Sequence, residues 1–400
     1  MRSADRRRQA LLLGIAAVSL ALAVSGCGKS APRGAAGSGS AGAVTSVPGQ
    51  HGAVALATKN TTRIGGATPT QDAAAVALAV YPGLTPATRP RAVVLVDERD
   101  WPAALAASTL AGRPLHAPLL FSEAQQLPSA TAQALAAMAP TGAAQVEGAQ
   151  AIVIGDAAVP SGYDARAVRA GDPAALAVSI EQLASALRGR SPSRVIVAPV
   201  EAAAMGAPAA GLAAESGAPI LFVTRNRIPS ATAAELKRLG RPSIYLVGPT
   251  SVIDIHVESE LRGLGTVTRV DGGVTPAENA VAVARFSDGS FGWGAVEPGH
   301  GLAFANSTRP LDGPAAAALA AAGDYAPLLL LEAPNALSGA LRSYLSDLQP
   351  GTPPTGPVHG VYNHGWLIGD ETAISAEAQA RLDAILEISP REAGEAEQGA

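Results

Sequence analysis

The sequence predicts an α/β protein of three tandem units, each a parallel sheet covered by helices. Three observations predict it. First, one core recurs: His116-Ala117-Pro118-Leu119-Leu120-Phe121, then Gly217-Ala218-Pro219-Ile220-Leu221-Phe222, then Tyr325-Ala326-Pro327-Leu328-Leu329-Leu330. The prolines return at intervals of roughly 100 residues, a domain-sized period rather than the short period of a solenoid. Second, each core is an apolar run long enough for a buried strand, with proline tolerated at its first residue. Third, such runs alternate with alanine-rich helical stretches, and that alternation implies parallel strands with both faces covered.

Taken from the start of the chain, the first element is a leader. Arg2, Arg6, Arg7 and Arg8 form a basic segment, and Ala10 to Val24 is an apolar run of the length of a secretory signal rather than of a membrane span. The run ends in Val24-Ser25-Gly26-Cys27, which resembles a bacterial lipobox. Residues 1–26 therefore read as a lipoprotein signal peptide. The Cys27 sulfur would carry a diacylglyceryl group and become the new N-terminus. The plainer alternative is an ordinary signal with a chance cysteine. Gly28-Lys29-Ser30 looks like the tail of a phosphate-binding P-loop, but the loop's first glycine is replaced by Ala23 and no buried strand precedes it.

Residues 27–57, rich in Gly, Ala, Ser and Pro, read as a flexible tether. Gly37 to Gly42 matches the GxGxxG pattern formally, but inside a linker rather than between a strand and a helix. The three units follow at 58–160, 161–265 and 266–390, and 391–400 reads as a disordered acidic tail. Within each unit a strand precedes the core (Ala92 to Val96, Val195 to Ala198, Gly301 to Ala305). A helical stretch lies between them (Ala103 to Ala111, Gly206 to Ala214, Pro314 to Ala322). Another helix follows the core, with Ser129, Ser230 and Ser338 placed to cap it. A strand ending in glycine comes last (Ala151 to Gly155, Ile244 to Gly248, Val361 to Gly369).

Composition narrows the function. Hydrophobic residues make up 48% and aromatics only 4%, so the core is aliphatic. The formal charge is −4 and becomes more negative once the arginine-rich leader is removed, which argues against nucleic acid as a partner. The single cysteine, Cys27, leaves no thiol for a disulfide or for catalysis after lipidation. No G-x-S-x-G or H-E-x-x-H signature is present.

The repeats resemble the cell wall-binding repeat 2 family of bacterial surface proteins, which carry three tandem copies. The resemblance rests on openings with arginine and glycine (Arg63-Ile64-Gly65-Gly66, Arg169-Ala170-Gly171-Asp172, Arg269-Val270-Asp271-Gly272-Gly273), on the small-residue helices and on the three Pro-apolar cores in step. It implies three Rossmann-like parallel-sheet domains in a pseudo-threefold arrangement. It also implies non-covalent binding to the wall through anionic wall polymers or peptidoglycan, with no cofactor. The family's Ser-Asp-Arg-Tyr continuation of the opening is absent from all three copies, and its helix aspartate aligns with Ala103, Met205 and Gly313.

Arg63, Arg169 and Arg269 occupy equivalent places in the repeat and are the candidate ligand-binding residues, since a guanidinium fork grips phosphate or carboxylate at two points. The alternative is that each pairs with a carboxylate and holds the domains together. His359 and His364 are too few for a metal site. Trp101, Trp293 and Trp366 are plates for a sugar ring or parts of the core. Glu297 and His300 fall in an insertion, 288–301, peculiar to the third copy.

The expected protein is a non-catalytic surface lipoprotein, held on the outer face of the cytoplasmic membrane by Cys27 and facing the wall. The alternative is a solute-binding lipoprotein of an importer, which has two lobes about one cleft rather than three equal units.

Overall fold

The structure is a computed structural model that describes residues 47–48, 54–270, 272–324, 326–352 and 361–390. The leader with Cys27, most of the tether, His359 and the tail lie outside the described residues. All described residues belong to one compact unit, Ala43–Ala400.

The chain opens with β1 (Val47–Pro48), β2 (Val54–Ala57) and β3 (Thr61–Gly65). A first module follows: α1 (Pro69–Val80), β4 (Val93–Asp97), α2 (Trp101–Ala107), β5 (Leu119–Ser122), α3 (Ser129–Met138), β6 (Ala151–Ile154) and β7 (Ala165–Val168). The second comprises α4 (Pro173–Arg188), β8 (Arg194–Pro199), α5 (Ala203–Gly206), α6 (Ala209–Ser216), β9 (Ile220–Val223), α7 (Ser230–Arg238), β10 (Ser243–Val247), α8 (Ile255–Arg262) and β11 (Thr266–Val270). The third comprises α9 (Pro276–Arg285), β12 (Gly301–Asn306), α10 (Asp312–Leu319), β13 (Leu328–Leu331), α11 (Gly339–Asp347), β14 (Gly351–Thr352), β15 (His364–Ile368), α12 (Ala376–Ile385) and β16 (Ser389–Pro390).

The first two modules each form a four-stranded parallel sheet, in the orders β5-β4-β6-β7 and β9-β8-β10-β11. The third repeats that order as β13-β12-β15-β3. Its fourth strand thus comes from the beginning of the chain, with Arg63 opposite Leu367 and Ile64 opposite Ile368. β2 and β1 then extend this sheet antiparallel. Sequence reading assigns the Arg63 opening to the first unit, 58–160; the structure pairs it with the sheet of the last. Each opening closes the sheet of the unit before it. The physical reason is that a buried strand must pair its backbone groups, and periodicity names the strand but not its neighbour.

The central strands β4, β8 and β12 are buried along almost their whole length, as expected where helices cover both faces. The small-residue helices α2, α6 and α10 touch one another pairwise, and every residue of α10 is buried. The first helix of each module packs on the preceding module: α1 on α10, α4 on α2 and α9 on α5. This cyclic pattern gives the three Rossmann-like modules their pseudo-threefold relation. Alanine and glycine make it feasible by letting backbones approach. A Cβ on Gly112 would lie 1.9 Å from the Ala214 carbonyl oxygen, and one on Gly313 would lie 2.9 Å from that of Ala207.

The caps differ from expectation in one respect. Ser338 caps α11 by accepting from Leu341 N at 3.2 Å. Ser129 and Ser230 instead begin their helices, after Pro128 and Pro229, and make no capping bond. The threonines two residues on tie these helices to the sheet: Thr131 Oγ1 donates to Phe121 O at 2.6 Å, and Thr232 Oγ1 to Phe222 O at 2.7 Å.

Candidate functional site

Strand register separates the three arginines that the repeat pattern aligns. Arg63 lies opposite Leu367 and Arg269 opposite Leu246, each two residues before the glycine that ends the neighbouring strand, Gly369 or Gly248. The matching place in the first module, opposite Val153, is held by Ala167, and Arg169 falls two residues beyond it.

Arg63 is 2% exposed. Its Nε and NH2 donate to Gln379 Oε1 at 3.1 and 2.9 Å, and NH1 donates to Gly369 O at 3.1 Å. Burial lowers its pKa from the ordinary value. Arg269 repeats the scheme: Nε to Glu258 Oε2 at 2.6 Å, NH1 to Gly248 O at 2.7 Å and NH2 to Ile253 O at 3.0 Å. The partners Gln379 and Glu258 stand on α12 and α8, the helices that flank the third strand of their modules. In the first module no helix separates β6 from β7, so the fork has no partner there and alanine suffices. Arg63 is therefore an internal fastener, because a buried guanidinium must be satisfied from within, and the part-buried Arg269 is likewise taken up by groups of its own module.

Arg169 is exposed, without an ion pair among the described residues, and lines a cleft of about 630 Å³ with Asp97, Arg99, Asp100, Asp156 and Asp172. The cleft lies at the carboxyl ends of β4 and β6, where the strand order reverses, the usual binding crevice of such sheets. Arg99 holds Asp97 in a fork, Nε to Oδ1 at 3.0 Å and NH2 to Oδ2 at 2.7 Å, which keeps the Asp97 pKa below the ordinary carboxylate value. Asp100 caps α2 through Ala103 N at 3.1 Å, and Asp172 caps α4 through Ala175 N at 2.9 Å. Burial pushes the Asp100 carboxyl upward. The walls thus offer both signs of charge.

Between the third and first modules the corresponding corner is filled. The residue four past the helix cap is Leu176 in α4 but Asp72 in α1. Asp72 is fully buried, accepts from Gly66 N at 2.7 Å and pairs with Arg309. Arg309 Nε also lies 3.1 Å from Asp312 Oδ2, without hydrogen-bond alignment. Two carboxyls share one guanidinium, so burial raises Asp72 to about 6 and Asp312 well above its ordinary value. Asp312 opens α10 one residue ahead of Gly313 and puts a carboxylate at the start of that helix.

The fold has solved counterparts. Cwp6 from Clostridium difficile matches with a TM-score of 0.66 at 17% identity, over 84% of this chain and 49% of that one. Cwp8 from Clostridium difficile matches with a TM-score of 0.62 at 18% identity, over 82% of this chain and 52% of that one. This chain spans about half the length of either. No family model and no curated protein matches it.

The aromatic candidates lie within the packing. Trp101 is half-buried and meets Phe222 of the second module edge-on, centroids 6.0 Å apart. Trp293 is buried, and Trp366 packs edge-on against His364 at 4.8 Å. His364 Nε2 lies 3.1 Å from Thr62 Oγ1, across the joint between β15 and β3. No group of three potential metal-ligating side chains occurs among the described residues.

The 288–301 insertion is a clamp between modules. Asp288 accepts from the Tyr245 hydroxyl at 2.6 Å, and Phe291 stacks on the Tyr245 ring at 4.0 Å. Burial, then the Asp288 bond, pushes the Tyr245 hydroxyl up to about 12, while Asp288 is drawn down to about 2. Glu297 stays exposed, and His300, lowered by burial, takes its backbone N–H to Asn363 Oδ1 at 3.2 Å.

Proposed function

We propose that this chain is a non-catalytic binding protein of the bacterial cell surface that attaches non-covalently to the cell wall through anionic wall polymers. The observation that carries the reading is the cyclic set of three modules of one strand order, closed by β3, in a fold like that of the cell wall proteins Cwp6 and Cwp8. A solute-binding lipoprotein of an importer would present two lobes about one cleft, and three like sheets favour the wall reading. In this reading Cys27 carries the lipid, the 27–57 segment spans to the wall, and exposed Arg169 offers its guanidinium to the polymer. The buried Arg63 fastens the two ends of the chain, and the part-buried Arg269 fastens the second module internally.

The test is co-sedimentation of the full chain carrying Cys27→Ala with purified walls, before and after chemical removal of the anionic polymers. Binding that disappears with the polymers supports the reading. A chain that stays in the supernatant with intact walls overturns it.

A further inference from the structure

We propose that a basic cavity at the base of the first module is a binding site for a phosphate group, taken as a phosphomonoester or phosphodiester. The cavity measures about 490 Å³ and is lined by Tyr81, Arg89, Arg91, Arg113, Leu115 and His116. Three segments converge to make it: the residue closing α1, the approach to β4 and the approach to β5. It lies at the amino ends of the strands, the opposite end from the Arg169 cleft.

Its arginines share with Arg169 the lack of an ion pair among the described residues and differ in this from four others. Arg99, Arg238, Arg269 and Arg309 are each held by a carboxylate. Arg89, Arg91 and Arg113 are exposed and make no ion pair or side-chain hydrogen bond among the described residues. No carboxylate lines the cavity. Glu215 of α6 stands outside this lining, and the Arg113 charge offsets part of the rise that burial gives its carboxyl. Three cations therefore face one space in a chain whose net charge is −4. Burial, followed by Arg113 and Arg91, lowers the His116 pKa, so the ring senses those guanidiniums. The half-buried Tyr81 hydroxyl, raised by burial, keeps its proton as a donor.

An oxyanion relieves this like-charge crowding. Three guanidinium forks, a phenol and an imidazole can surround a tetrahedral anion with more oxygens than a carboxylate offers. The volume exceeds that of phosphate alone and leaves room for the group that carries it. The other two cores carry Gly217 and Tyr325 where this one has His116, so this lining is particular to the first core. This inference stands apart from the wall reading, although a phosphodiester wall polymer would make the cavity a point of contact.

The experiment is calorimetric titration of the full chain carrying Cys27→Ala with inorganic phosphate and with glycerol 3-phosphate at low ionic strength. We expect one saturable site per chain. Arg91→Ala together with Arg113→Ala should weaken it by about tenfold or more, with an unchanged melting temperature because both side chains are exposed. Arg169→Ala should leave it intact, and the His116 ring pKa should rise when phosphate binds. Absence of saturation, or equal affinity in the double variant, overturns the site. The two natural sources are separated by flotation with phosphatidylglycerol vesicles and by wall sedimentation, each with native and double-variant protein. Loss in the double variant on vesicles assigns a lipid headgroup, and loss on walls assigns a polymer. Native protein that titrates with phosphate but ignores walls keeps the site and overturns the wall reading. Walls that bind both proteins equally, with no phosphate titration, do the reverse.

Discussion

Arg63 and Gln379 are hydrogen bonded twice, Nε and NH2 to one amide oxygen, although 316 residues separate them. The contact joins the first buried strand of the described chain to its last long helix, so the ring is fastened where its ends meet. Arg269 makes the matching contact locally, Nε to Glu258 only eleven residues away, while its NH2 turns to the Ile253 carbonyl. One device thus serves both a continuous module and one assembled from the two ends of the chain.

Arg63→Ala is expected to destabilise the protein by about 3 kcal/mol, since it strands the Gln379 amide and the Gly369 carbonyl in the interior. Arg63→Lys should recover little, because an ammonium cannot reproduce the fork. Arg169→Ala, at an exposed position, should stay within about 0.5 kcal/mol of the parent. Urea unfolding of the three variants checks this, and equal midpoints for Arg63→Ala and Arg169→Ala would remove the fastening role.

The repeating strands and helices were legible because their signals are local. Pro118, Pro219 and Pro327 each stand one residue before a buried strand, and the alanine-rich stretches became α2, α6 and α10. What was not legible was pairing. The Arg63 strand is buried and opens the first repeat in sequence, but its partner β15 lies about 300 residues on, and nothing within a repeat's length reveals that. The arginine site misled for a related reason. The Arg-Gly spacing aligns Arg169 with Arg63, whereas register places Ala167 there. The signal that could have warned of it is the missing helix between β6 and β7, which removes the arginine's partner. The basic cavity was invisible because its arginines come from two segments, Arg89 and Arg91 before β4 and Arg113 before β5, with no motif between them.

The Asp72–Arg309–Asp312 cluster makes stability depend on pH. A carboxyl whose folded pKa is raised contributes stability fully below its unfolded value, about 4, and loses it as pH rises through the folded value. For Asp72 that value is about 6. The native protein should therefore lose stability from this cluster between about pH 4 and 7. Asp312→Asn mimics the protonated acid, so it should be near neutral at pH 4.5 and gain on the parent as pH rises to 7. Arg309→Ala should cost about 3 kcal/mol at pH 7 by leaving the buried carboxyls without their cation. Unfolding midpoints at pH 4.5 and 7 decide, and parallel profiles for parent and Asp312→Asn would dismiss the raised Asp312 carboxyl.

The insertion clamp should show its worth in packing rather than in charge. Phe291 is buried against Tyr245, so Phe291→Ala should cost about 3 kcal/mol. Tyr245→Phe keeps the ring and loses only the bond to Asp288, at about 1.5 kcal/mol. Asp288 holds its charge until pH falls toward about 2, so its folded pKa is depressed. Its contribution is present above about pH 4 and is lost only as pH falls through that lower value. The difference between the two variants should therefore be the same at pH 5 and pH 8. A difference that collapses at pH 5 would point to another partner for Asp288.

The lipid anchor is tested at Cys27 itself. Acyl chains contribute about 0.8 kcal/mol per buried CH₂, and two or more chains give stable membrane attachment where one does not. The parent, expressed in a bacterium that lipidates such sequences, should enter the detergent phase on temperature-induced separation and take up labelled fatty acid. Cys27→Ala should enter the aqueous phase without label. No helix among the described residues is long and apolar enough to cross a membrane, and Cys27 precedes the first strand, β1, by some 20 residues. The variant should therefore melt like the parent and sediment with walls as well as it does. A Cys27→Ala chain that still partitions into detergent would show that attachment resides in the uncleaved leader, and the 1–26 signal would then have to be read as an anchor.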